Sequence, residues 1–224
     1  MRYNGLQLVI RLAVDKLGQP ELQRWQDALI LGALREDVLY LAPRHKIWEH
    51  WSFSHFSGRY LPGGFIPFFT PSAATKAQRY FDAALRHWQE QQAAKAFVAL
   101  GKASHLLIDM ACPVHVHRVP HWSDGYEWYI EAHYERLLAQ GLELVLPTHY
   151  ATPKATVAGL AAFTRQFAPD RTHHHWGRWL KNRGWRQTHS KVEIAQQVEQ
   201  ISPVAAGHLA ALYLQFLQAA KVEP

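Results

Sequence analysis

Residues 105–115, HLLIDMACPVH, hold the types and spacing best suited to chemistry in this chain of 224 residues. His105 and Asp109 lie four apart inside an apolar stretch of helical period, so both side chains leave one helix face a single turn apart and can grip one ion. His115 follows just past the Cys112-Pro113 pair that stops the helix. Two imidazoles and a carboxylate so spaced suit zinc or a similar divalent metal. An isolated His/Asp pair at this spacing is more often a plain ion pair, and three further segments decide for metal. GALREDV places Asp37 near a helix end, WSFSHF places His55 in an aromatic connection, and DGYEWYIEAHYE places Glu127 and Glu131 one turn apart on another helix.

The elements that must position these residues are helical. Apolar residues recur at helical spacing through 6–17, 20–40, 73–92, 95–111, 124–139, 153–167 and 190–219, and no stretch alternates as a strand. The pattern predicts an all-α protein, a single domain over residues 1–224, built as a helical bundle with a metal cluster in a cleft between helices. Pro20 and Pro153 suit first-turn positions, Thr152 caps the helix after it, and Ser190 with Glu193 forms a capping box. Pro203 is expected to break the last helical stretch in two. The connection from about 41 to 71 carries Trp48, Trp51, Phe53, Phe56, Tyr60, Phe65, Phe68 and Phe69, too apolar for a solvated linker, and a loop of that length is expected to be functional.

A hydrophobic content of 48% allows one well-buried core. The single cysteine, Cys112, excludes an internal disulfide, which makes metals the more plausible staple. A net charge of +6, with fifteen histidines left out of the count, favours anionic partners such as phosphodiesters, nucleic acid or an acidic membrane surface. Gln7, Arg11 and Asp15 interrupt the first apolar stretch, so no signal peptide is read, and no segment approaches transmembrane length. Localisation is therefore open, with a cytoplasmic place expected for the chain as given.

The ordered set Asp37, His55, His105, Asp109, His115, Glu127 and Glu131 resembles the zinc-dependent phospholipase C and S1/P1 nuclease family. The resemblance runs from about residue 32 to 131. It implies a first metal site of Asp37, His55, His105 and Asp109, and a second of His115, Glu127 and Glu131. Two zinc ions are expected, or three if further groups complete a third site. The resemblance also implies phosphodiester hydrolysis, in which a metal-activated water attacks phosphorus, paired cations about 3.5–4 Å apart stabilise the phosphoryl charge, and Asp37 orients or deprotonates the water. The expected substrate is a phospholipid headgroup ester, with peripheral membrane contact. Nucleic acid, in the manner of an S1/P1 single-strand nuclease, is the alternative, and a metal-stabilised domain without catalysis is the non-enzyme reading. Relatives are mostly secreted.

The chain departs from the family at three places. Met1 and a first helix without histidine stand where phospholipase members use an N-terminal Trp and a His to hold a third zinc, leaving His50, His117 and His121 as spare imidazoles. Glu127 stands where the family has His, and the extra oxygen ligand admits manganese or iron(II) at the second site. Ser52 falls where a family aromatic helps enclose choline, with Trp51 and Phe53 beside it. The tract His173, His174 and His175 reads as an exposed polar loop. The basic segment 165–191, interleaved with Trp176, Trp179 and Trp185, suits a phosphate backbone or a bilayer interface as well as plain packing.

Overall fold

The computed structural model describes residues 1–37, 55, 57, 71–119, 124–147, 150–170 and 188–222, with Asp37 described in its backbone only. Helices α1 (Tyr3–Leu17), α2 (Pro20–Arg24), α3 (Gln26–Asp37), α4 (Ala73–Gln89) and α5 (Ala93–Asp109) form the first half. They are followed by α6 (Pro113–Val116), α7 (Gly125–Ala139), α8 (Pro153–Thr164) and α9 (Lys191–Ala219). No strand occurs among the described residues, so the protein is all-α as the periodicity predicted. His55, Ser57 and Pro71 are the described residues of the long aromatic connection. His50, His121, the triple-His tract and residues 171–187 of the basic tryptophan segment lie outside the described residues.

The caps expected at Thr152 and Ser190 are present, and Ser72 adds a further one. Ser72, Thr152 and Ser190 accept backbone N–H groups at the starts of α4, α8 and α9, and Ser190 and Glu193 close a reciprocal capping box. Two expectations about boundaries change. The 20–40 stretch divides at Trp25, whose backbone leaves helical geometry while its indole stacks on Phe97 at 5.9 Å and donates to Glu21 at 3.0 Å. Pro203, in contrast, does not break the last stretch: α9 runs continuously from 191 to 219. The proline leaves only the Glu199 carbonyl without its helical donor. Residue 199 lies on the exposed face, open to solvent, while Ile201, Val204 and Ala205 bury the opposite side.

One apolar cluster draws on Leu6 and Ile10 of α1, Leu29 of α3, Phe81 of α4, Leu100 of α5, Ile130 of α7, Leu160 of α8 and Phe216 of α9. Phe97 sits among Trp25, Trp88 and Phe216 with ring centroids 5.6–6.0 Å away. Helix α5 is the axis of this arrangement, buried at most positions from Ala96 onward and packed between α3 and α4.

Its crossing with α3 is backbone against backbone. A Cβ on Gly101 would meet the Leu29 carbonyl oxygen at 2.1 Å, and one on Gly32 would meet that of Val98 at 2.1 Å. Neither oxygen can swing aside as a flexible side chain would, so the helices themselves must separate. We expect Gly101→Ala to cost roughly 3 kcal/mol, the upper end for overpacking. A urea denaturation midpoint checks this, and a loss below about 1 kcal/mol would show that the crossing tolerates a methyl group.

Candidate metal centre

The close α3–α5 crossing carries His105 against the last turns of α3, where its Nδ1–H donates to the Ala33 carbonyl at 3.0 Å. A carbonyl only accepts, which assigns the proton to Nδ1 and turns Nε2 toward Asp109, one turn further along α5. The α3 terminus is itself anchored to α4: Glu36 is ion-paired with Lys76 and accepts the Tyr80 hydroxyl at 2.7 Å. This fixes the backbone of Asp37, the last residue of α3, although its side chain lies outside the described residues.

Past Asp109 the chain turns through Met110 and Ala111 and restarts at Pro113 in the short helix α6, which presents His115. The His115 Nδ1–H donates to the His55 backbone carbonyl at 2.9 Å. Ser57 donates its hydroxyl to Val116 at 2.8 Å, and His55 Nδ1 reaches Asp109 Oδ2 at 2.6 Å. His55 is thereby tied to both Asp109 and His115 of the HLLIDMACPVH run. His105 and His115 each commit Nδ1 to a backbone carbonyl and keep Nε2 for the centre, the outer-shell arrangement that orients imidazole ligands.

Two groups of ligand atoms result, each lying within 4.8 Å of one another: His55, His105 and Asp109, and Cys112, His115 and Glu127. All six residues are buried. Asp109 stands between the groups. Its Oδ2 faces His105 Nε2 at 3.2 Å, and its Oδ1 lies 3.9 Å from His115 Nε2, which is 3.7 Å from Glu127. The Met1 ammonium is enclosed at the same place, 2.8 Å from Asp109 Oδ1 and 3.0 Å from Glu127 Oε1.

Charge makes the fit to a cation specific. With Nδ1–H committed to Ala33, a neutral His105 turns a lone pair toward a carboxylate oxygen, and two acceptors in contact need a proton or a metal between them. Burial alone would raise the Asp109 carboxyl, but His105, the Met1 ammonium and His115 outweigh it and hold the group well below the usual carboxylate range. Burial likewise opposes charge on His115, yet Asp109 and Glu127 raise its pKa. Beside them Asp124 is pushed up to about 7 by burial and by the Glu127 and Asp170 carboxylates. Asp109, Asp124, Glu127 and Asp170 are four buried carboxylates in one neighbourhood. Divalent cations offset such a concentration of negative charge, and the imidazole and carboxylate donors are those zinc takes.

Most of the residues expected from the sequence converge here. His55, His105, Asp109, His115 and Glu127 fall into the two groups. Glu131 lies one turn beyond Glu127 on α7, outside both groups, and its Oε2 accepts the Asn4 amide of the first turn of α1 at 3.0 Å. His117 is turned away and bonds the Phe167 carbonyl at 2.9 Å, while His208 is a core imidazole whose Nδ1–H donates within its own helix. Sequence reasoning missed Cys112, Asp124 and Asp170. Asp124 had a readable signal, since D-G-Y-E is an N-cap pattern: its side chain accepts the Glu127 amide at 2.8 Å. Cys112 had a weaker one, the C-P-x-H spacing. Asp170 had none, since it reaches the Gly125 amide, at 2.6 Å, from 45 residues away.

Comparison with known proteins bears on the fold and the family. No curated protein sequence matches the chain. Among solved structures, that of Clostridium perfringens alpha-toxin isolated from the avian strain SWCP is similar, with a TM-score of 0.57 at 12% sequence identity. The match covers 99% of this chain and 64% of the toxin chain, so the chain spans about two thirds of the length of that relative, and the likeness is one of fold. The sequence profile described as zinc dependent phospholipase C matches residues 7–208. The chain belongs to the zinc-dependent phospholipase C family.

Proposed function

We propose that the protein is a zinc-dependent phosphodiester hydrolase of phospholipase C type, acting on the headgroup ester of a phospholipid. The observation that carries the reading is the pair of imidazoles, His105 and His115, that commit Nδ1 to backbone carbonyls and aim Nε2 at the buried Asp109. In this reading His55, His105 and Asp109 hold one ion, with Asp37 at the adjoining end of α3. His115 and Glu127 hold a second, with Glu131 one turn beyond. Bound zinc supplies Lewis acidity, lowering the pKa of water towards roughly 7 and offsetting charge on phosphoryl oxygens.

The chain's own contribution is orientation and proton handling. Carbonyl bonds fix the imidazole tautomers before any ion arrives, so little reorganisation is needed on binding. Asp37, at the α3 terminus held by Glu36, is the carboxylate assigned to take the proton of the attacking water. Asp109 lies between the two sites and is the candidate shared ligand. The two groups of buried donors are the basis for assigning two ions.

Hydrolysis assays on a phosphocholine ester and on single-stranded DNA, run on protein of known metal content, test the proposal. Zinc-dependent release of phosphocholine is the expected result. Cleavage of DNA alone would transfer the assignment to the nuclease branch, and a zinc-loaded protein inert towards both would leave a structural metal domain.

A further inference from the structure

We propose that Cys112 is a sulfur ligand of the second metal site, so that this site is formed by Cys112, His115 and Glu127. The inference rests on the reading that the second site holds a divalent ion, and it names a donor that the family resemblance does not supply.

The backbone places the thiol there. Cys112 is the N-cap of α6, with Pro113 at the first helical position and His115 within the same turn. An N-cap side chain ordinarily accepts a backbone N–H of that turn, and serine, threonine or aspartate does so best. Cys112 makes no such bond. Its Sγ turns inward instead, fully buried, and lies within 4.8 Å of the ligand atoms of both His115 and Glu127. Donors around a tetrahedral zinc stand roughly 3.3–3.7 Å apart, given bond lengths of about 2.0–2.3 Å. Closing the group onto an ion therefore asks for movements of about an ångström, within reach of side-chain rotation.

The surroundings supply the outer shell. The Cys112 thiol donates to Asp124 Oδ2 at 3.1 Å while Asp124 Oδ1 accepts the Glu127 backbone amide, so one carboxylate anchors both the thiol and the first turn of the helix that carries Glu127. His115 already has Nδ1 committed to the His55 carbonyl and Nε2 facing Glu127. Coordination forms a sulfur–metal bond as the S–H bond breaks: the sulfur keeps the electron pair as its donor pair, the proton passes to the Asp124 carboxylate that it already bonds, and the resulting carboxylic acid donates back to the thiolate. A thiolate beside one imidazole and one carboxylate gives a borderline-soft set that selects zinc or cobalt over manganese.

Cobalt(II) substitution tests this, because Cys112 is the only cysteine in the chain and any thiolate signal belongs to it. Protein loaded with two cobalt equivalents is expected to show a sulfur-to-cobalt charge-transfer band in the near ultraviolet. Cys112→Ser should lose that band, keep the visible ligand-field bands of the first site, and bind the second equivalent at least about tenfold more weakly. Zinc-edge X-ray absorption of the unmodified protein needs no variant and should show one sulfur scatterer at about 2.3 Å. Two bound cobalt ions without the band, or zinc with only nitrogen and oxygen scatterers, would overturn the thiolate assignment and leave the hydrolase reading standing. Failure to bind any metal would overturn both.

Discussion

His105→Ala and Asp109→Ala should each reduce phosphodiester hydrolysis at least about 10³-fold. Each removes a buried first-site donor, and loss of the ion forfeits several kcal/mol of transition-state charge stabilisation, at about 1.4 kcal/mol per factor of ten. The two losses differ in character. His105→Ala leaves the Asp109 carboxylate with His55, His115 and the Met1 ammonium still beside it. Asp109→Ala removes the carboxylate that stands between the two ligand groups and strands those partners, so it should also lower zinc content below one equivalent and destabilise the fold. His173→Ala, in the polar triple-His tract, should leave activity unchanged. Steady-state kinetics with metal analysis of each variant decides the matter: an inactive His173→Ala beside an active His105→Ala would mean that the metal site lies elsewhere.

Glu127 carries the second large effect. Truncation to Ala removes the carboxylate that faces His115 at 3.7 Å and should release one zinc equivalent. Glu127→His restores the donor type that family members use there, removes one negative charge, and should keep the ion. A site with less negative charge makes the ion a stronger Lewis acid, so the ionisation that limits activity should move to lower pH. Zinc should also be favoured further over manganese or iron(II). Full metal content and an unchanged pH profile in Glu127→Ala would show that this buried carboxylate is not a metal ligand.

What the sequence revealed of this centre follows from how local each relation is. His105 and Asp109 at one-turn spacing, His115 past a proline stop, and Glu127 on the next helix are local patterns, and the structure brings them together with His55. Helix α5 was legible for the same reason, its apolar residues recurring at helical spacing around His105 and Asp109. The Trp25 break was not legible, because stacking on Phe97 from a different helix decides it. Nor was the continuity of α9, because it depends on which side of the helix the Glu199 carbonyl faces. Cys112 read only as a missing disulfide partner. Its juxtaposition with Asp124 depends on how the chain re-enters α7, and Asp170 arrives from farther still. Glu131 shares a face with Glu127 as the spacing required, yet the first turn of α1 supplies an amide partner that no local pattern announced.

Metal content per chain tests the central claim most directly. Elemental analysis of the purified protein should find at least two divalent ions, predominantly zinc. Their removal by chelation should lower the melting temperature. At free zinc about a thousandfold above the dissociation constant, each ion adds about 4 kcal/mol to stability. For a domain of this size that corresponds to a shift on the order of 10 °C. Protein that purifies without metal, takes up none on reconstitution, and melts at the same temperature with and without chelator would contradict the account.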